Sequence, residues 1–316
     1  MAFLALLALA PPPAALVSNL RQHVSYLASD ALKGRATPSP GLDAAADYIA
    51  SRFQAIGLAP AIDKSFFQMA TYKDTPVRNV VAILKGSDPK LAGQVVLVTA
   101  HYDHLGEKAT GESDRIYNGA DDDASGVAGV IETARLLAAK PPKRSVVFIT
   151  FWGEERGLLG SRYYGEHPVF PLKDTIADVN LEQIGRTDDS DQGDRKLTAD
   201  ITGAKFSDIG PILAEAFKSK GLTLKLDAKP NEAYFVASDN AALALAGVPA
   251  HTISVAYEFP DYHKPADEWP KLDYENLASL TLGIAEGVRR LADNPKPPQW
   301  ADIPQTERFR KARMKE

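Results

Sequence analysis

The chain has 316 residues, 45% hydrophobic and 24% charged, the composition of a globular protein with enough apolar material for a sizeable core. Its 41 acidic and 36 basic side chains are interspersed and leave a formal charge of −5, so no basic field exists to draw nucleic acid or an anionic membrane as main partner. With no cysteine, disulfides, thiolate metal sites and a cysteine nucleophile are excluded, and any metal must be held by His, Asp and Glu.

The chain opens on a short apolar block, residues 3–10, followed by three prolines and small residues. The pattern resembles the end of a secretory signal without its positively charged start. Residues 1–15 are therefore expected to be a signal remnant or an added start, and the protein to be secreted or periplasmic. No run reaches the ~18 apolar residues of a membrane span, so stable membrane insertion is not expected. Residues 14–34 and 41–57 carry helical spacing, with Ala45, Tyr48, Ile49, Phe53 and Ile56 on one face of the second. Gly57 is placed to close that helix. Two β-rich runs follow, "RNVVAILKG" and "QVVLVTAHYD", then a helix over 125–139 and the buried-strand signature "RSVVFITFWGEE". "DTIADVNLEQIG", "KLTADITG", "TLKLDA" and "PAHTISVA" read as further strands, separated by helices over 207–219 and about 239–246. Residues 273–292 form a closing amphipathic helix, and the proline-rich stretch 296–316 reads as a tail.

Strands alternating with helices predict an α/β fold: one three-layer domain over 16–295, with a mostly parallel mixed β-sheet and helices on both faces. Such folds bind ligands outside the carboxyl ends of their strands. Three of the predicted strands end there on chemically competent side chains: His101 and Asp103, Glu154 and Glu155, and Glu182.

His101 and Asp103 stand two apart at a strand end and point to one side, which lets the carboxylate orient a ligating imidazole. A histidine capping a loop is the competing account, and His104 should face the other way. In "NGADDDASG" a helix start explains one or two aspartates through the dipole. It explains three poorly, because adjacent carboxylates raise each other's pKa. A dication removes that cost. Asp121, at the loop end of the run, is the expected bridging ligand, with Asp122 and Asp123 serving the helix start and supporting hydrogen bonds. Of Glu154 and Glu155, one can bind metal while the other stays free as a base. Glu182 is a further carboxylate, with a salt bridge to Arg186 as the alternative. His263, in a proline-bounded loop, would be the second imidazole. Two histidines with carboxylates suit Zn²⁺, and ligand type alone also admits Co²⁺ or Mn²⁺. Two such ions ~3.5–4 Å apart activate a water and polarise a carbonyl together.

The segments "AHYDHLG", "NGADDDASG", "GEERGLLGS", "NLEQIGR" and "DYHKPADEW" occur in the order and approximate spacing of the M28 zinc metallopeptidases, which the chain resembles from about residue 20 to 292. The resemblance implies a zinc-dependent exopeptidase fold and two Zn²⁺ per chain. It implies that His101 binds one metal, oriented by Asp103, and that Asp121 is shared. Glu155 and His263 would bind the other metal, Glu154 would act as general base, and Glu182 would stand where aspartate is common and complete the His101 metal. Asn240 departs from a Ser-Asp-His pattern, and Phe235, beside Tyr234, holds the place of a tyrosine that steadies the oxyanion in some members. The expected activity is release of N-terminal residues from a peptide or protein substrate. Its rivals are a single-zinc glutaminyl cyclase and a non-catalytic binding protein on the same fold.

Overall fold

Three runs of β-branched and aromatic residues make the centre of the molecule, because such side chains pack on both faces of a pleated sheet. In the computed structural model, which describes residues 11–110, 114–227 and 230–313, these are β4 (Val95–His101), β5 (Ser145–Phe151) and β6 (Thr175–Leu181), every residue of them buried. The preceding strands are β1 (Ala59–Pro60), β2 (Phe67–Tyr72) and β3 (Thr75–Leu84). Those that follow are β7 (Thr198–Ile201), β8 (Thr223–Lys225) and β9 (Ala250–Ser254). The nine form one mixed sheet in the order β1-β3-β5-β4-β6-β9-β7-β8, with β2 on the same edge of β3 as β1. The central pairs β5/β4, β4/β6 and β6/β9 are parallel, and β3/β5 and β9/β7 are antiparallel.

Alternation along the strands divides two cores. Val96, Val98, Ala100, Val146 and Phe148 face one side; Val95, Leu97, Val147, Ile149 and Phe151 face the other. The first side is covered by α1 (Ala14–Leu27), α2 (Pro40–Ile56), α3 (Gly126–Ala138), α5 (Ile209–Ser219) and α7 (Tyr274–Asp293). The second is covered by α4 (Leu159–Glu166), α6 (Asn240–Leu245) and α8 (Glu307–Arg313). Helix α2 shows how local sequence sets these bounds. Ser39 Oγ caps it by accepting from Leu42 N at 3.1 Å, Pro40 occupies the first turn, and Gly57 closes it at φ 89°.

The predicted helix over 14–34 is shorter than expected, because α1 stops at Leu27 and a 3-10 turn, Asp30–Arg35, follows. Four of these elements lie where none was expected: β1, β2, α4 and α8. Residues beyond 295 pack on the second core: Trp300 and Phe309 are buried there, and Trp300 Nε1 donates to Gly247 O at 2.9 Å. The apolar block of residues 3–10 lies outside the described residues. Among those described, no helix is long and apolar enough to cross a membrane.

Candidate functional site

Strands β5, β4 and β6 are neighbours in that order, so His101, Glu154, Glu155 and Glu182 emerge together at one edge of the sheet. A fourth loop, from Lys264 to Asp273 with His263 before it, meets them from the front of α7. The acidic segment fills the space between. Gly119, at φ 58°, starts it in the left-handed region, where a Cβ would lie 2.2 Å from Asp122 O. Gly126 ends it, and a Cβ there would stand 2.4 Å from the Asp123 carboxylate.

The three aspartates do different work. Asp121 Oδ1 accepts from Gly185 N at 2.6 Å and Arg186 N at 3.1 Å. Asp123 Oδ1 accepts from Gly126 N and Gln183 N, both at 3.1 Å. Flanking carboxylates thus hold the backbone of the loop that carries Glu182. Asp267 in turn fixes the segment, its carboxylate accepting from Asp121 N at 3.0 Å and Asp122 N at 3.1 Å. Arg35, fully buried, donates to Asn118 O, Gly119 O and Tyr102 O, which ties the start of the segment to the end of β4. Burial lowers its guanidinium to about 10, against the pull of Asp103, Asp122, Asp267 and Asp123.

Asp122 faces both His101 and His263, while the second oxygen of Asp123 stays without a hydrogen-bond partner beside His101 and Glu182. Asp122 Oδ1 lies 3.1 Å from His101 Nε2 and its Oδ2 3.1 Å from His263 Nε2. His101 Nε2 is 3.3 Å from Glu182 Oε1, and His263 Nε2 is 3.3 Å from Glu155 Oε1. The expectation that Asp121 would sit between the two imidazoles is therefore corrected. Its carboxylate is turned to the 183–186 loop, and Asp122 bridges the two halves. His104 is also inside the cluster. Its Nδ1 stands 2.8 Å from Glu155 Oε1. Burial and Asp122 would raise that carboxyl, but His104 with His263 holds it below its usual range.

Support comes from behind. His101 Nδ1 meets the main-chain oxygen of Asp103 at 3.2 Å and its carboxylate at 3.5 Å. That carboxylate also accepts from Thr37 Oγ1 and Glu154 N, both at 3.0 Å, and so ties β4 to the start of the Glu154 turn. Ser238 Oγ donates to Glu182 Oε2 and accepts from Asn180 Nδ2 at 2.8 Å. Arg186 pairs with Asp188 and with Asp261 (2.9 Å to the latter), not with Glu182.

The electrostatics ask for a cation. Glu154, Glu155, Glu182, Asp122 and Asp123 crowd around imidazoles, and buried like charges cannot all ionise without one. Burial, with Glu182 and Asp239 adding to it against His101, holds Glu154 well above the usual carboxylate range. Burial would raise Asp122 as well, but His104, His101 and His263 outweigh it and hold that carboxyl well below the usual range. Ligand-capable atoms converge in two groups, His101–Asp123–Glu182 and His104–Asp122–Glu155, each within 4.8 Å of one another. His and carboxylate donors with unpartnered buried atoms fit a borderline divalent metal such as zinc.

Residues 79–288 match the model of peptidase family M28. The chain belongs to that family. A probable zinc metalloprotease of Leptosphaeria maculans is 28% identical over 264 residues, 79% of this chain and 58% of its own length. This M28 chain spans between 32% and 58% of the length of four fungal zinc-metalloprotease relatives of this kind. Among solved structures, a leucine aminopeptidase precursor of Bacteroides thetaiotaomicron superposes with TM-score 0.69 at 19% identity, covering 89% of this chain and 97% of that one. The glutaminyl cyclase of Porphyromonas gingivalis does so with TM-score 0.67 at 18%, covering 86% and 96%. These two likenesses establish the M28 fold.

Of the expected site residues, the M28 chain brings together His101, Glu154, Glu155, Glu182 and His263, with Asp103 behind them. Sequence reasoning missed the facing role of Asp122, the presence of His104, and the holding roles of Asp267, Arg35 and Ser238. The signal for Asp267 was available, since it lies four residues beyond His263 in "DYHKPADEW". Phe235 is buried against Phe206 and His251, while its neighbour Tyr234 lines the cavity beside the cluster.

Proposed function

We propose that this chain is a zinc-dependent aminopeptidase with two metal ions that share Asp122. His101, Glu182 and Asp122 would hold one ion, and Asp122, Glu155 and His263 the other. When bound, zinc would supply a Lewis acid for the scissile carbonyl and lower the pKa of water toward neutrality. The observation that carries the reading is Asp122 placed between two imidazoles, each with its own glutamate.

The chain's own residues supply the rest. Glu154 sits in a desolvated position that raises its proton affinity, which suits a group that takes a proton from the attacking water and passes it to the leaving amine. Asp103 receives the backbone N–H of Glu154 and fixes its turn. A free amino terminus is favoured over a free carboxylate at the substrate end. The adjoining cavity is lined by Asp122, Glu154, Glu182 and Glu258, with no Lys or Arg among its described lining residues. Tyr262 stacks on His263 at 4.0 Å and keeps that imidazole turned to the cluster.

The test compares Leu-p-nitroanilide with N-acetyl-Leu-p-nitroanilide, and with a Gln-initiated peptide assayed for cyclisation, on protein reconstituted with zinc. Turnover of the free-amine substrate only, abolished by chelator, supports the aminopeptidase. Cyclisation without hydrolysis would move the chain to the transferase reading, and equal turnover of the acetylated substrate would refute N-terminal recognition.

A further inference from the structure

We infer that Glu258 makes the cavity beside the cluster selective for substrates whose first residue carries a cationic side chain. The inference rests on the aminopeptidase reading for which residue occupies the cavity. The cavity, about 100 Å³, shares its wall with Asp122, Glu154 and Glu182.

Most polar groups around it are already committed. Ser238 serves Glu182, Thr252 Oγ1 donates to Asn240 Oδ1 at 2.8 Å, and Thr202 Oγ1 accepts from Thr252 N at 2.9 Å. Glu258 is the charged lining residue that stands outside the histidine–carboxylate cluster. Its side chain accepts from Tyr234 Oη at 3.3 Å and forms no ion pair with a Lys, Arg or His among the described residues. Glu258 thus presents to the cavity a carboxylate with no cationic partner among the described residues, and an ammonium or guanidinium of the substrate would pair with it.

The walls agree with that chemistry. Tyr234 and Tyr257 stack with centroids 4.7 Å apart and planes 5° apart, and Tyr262 also borders the cavity. One face of each ring is taken, Tyr234 and Tyr257 by each other and Tyr262 by His263, and an outer face would attract an ammonium or guanidinium through the ring quadrupole. A tyrosine-walled slot with a carboxylate accepts lysine or arginine more readily than leucine.

The test uses zinc-loaded full-length protein and two inert ligands, L-lysine and L-norleucine, which differ by the terminal ammonium. Calorimetry on the wild type is expected to give tighter binding of lysine by about 10-fold or more, the scale of a hydrogen bond to a charged group. In Glu258→Gln the preference is expected to collapse toward unity. No preference in the wild type, or a preference that survives E258Q, overturns the inference. Equal weakening of both ligands overturns it too, because Glu258 would then be serving the shared α-amine or the fold. Leu-p-nitroanilide turnover measured beside it reports separately on the aminopeptidase reading. A lysine preference lost in E258Q, in a protein that hydrolyses nothing, would keep the cationic pocket and refute the activity.

Discussion

Replacing Asp121 by alanine separates a residue that builds the site from one that faces its contents. Its Oδ1 holds Gly185 N at 2.6 Å and Arg186 N at 3.1 Å, in a place with no exposure. Truncation leaves two buried donors unmet, each costing about 1–3 kcal/mol, so Asp121→Ala should lose roughly 2–6 kcal/mol. That is a large share of the roughly 5–15 kcal/mol that a domain has. Asp121→Asn keeps the acceptor for both backbone donors and should therefore lose less stability than D121A. Asp122→Asn should show the converse: a folded protein that retains less zinc. Urea unfolding in EDTA, with metal content measured before chelation, reads both quantities. If D121A unfolds like wild type but loses zinc while D122N keeps it, the assignment of the two aspartates is refuted.

Glu154→Gln should leave zinc content unchanged and lower kcat by at least ~10²-fold; retention of most activity would remove Glu154 from the proton path. Ser238→Ala frees Glu182 Oε2 from its hydroxyl and should weaken zinc binding by about 10–100-fold, read by competition with a chromophoric chelator. His251 offers a pH test away from the metals. Burial lowers it from 6.5 to about 4, while Thr202 O and Ser207 Oγ hold its two ring nitrogens. Between those values the unfolded chain binds the extra proton, so stability is lost as pH falls from about 6.5 to about 4, by roughly 3 kcal/mol in all. His251→Gln should flatten that part of the urea-midpoint profile, and an unchanged slope would contradict the buried neutral imidazole.

The strands were legible because β4, β5 and β6 are buried on both faces and read as continuous apolar runs. Their ends pointed to the site because consecutive parallel strands deliver their last residues to one edge. β2 was hidden by its place at the rim, where burial is uneven and Met69 is 52% exposed. α4 was hidden by two glycines and by a start at Leu158 in the left-handed region.

The ambiguity among three adjacent aspartates could not be resolved locally. Asp122 and Asp123 have non-helical backbone angles, so neither dipole nor helical spacing applies to them. The turn is fixed by Asp267, about 145 positions away in sequence. His104 escaped for a related reason. Strand alternation was carried past His101, where β4 ends, whereas His104 N donates to Arg35 O and the chain there has already left the sheet.

The central claim is that one carboxylate, Asp122, joins two metal positions. Zinc per chain, measured by mass spectrometry on zinc-reconstituted wild type and D122N after exhaustive dialysis, tests it most directly. The account predicts close to two zinc per chain in the wild type and a loss from both positions in D122N. One zinc per chain in the wild type, unchanged by D122N, would contradict it.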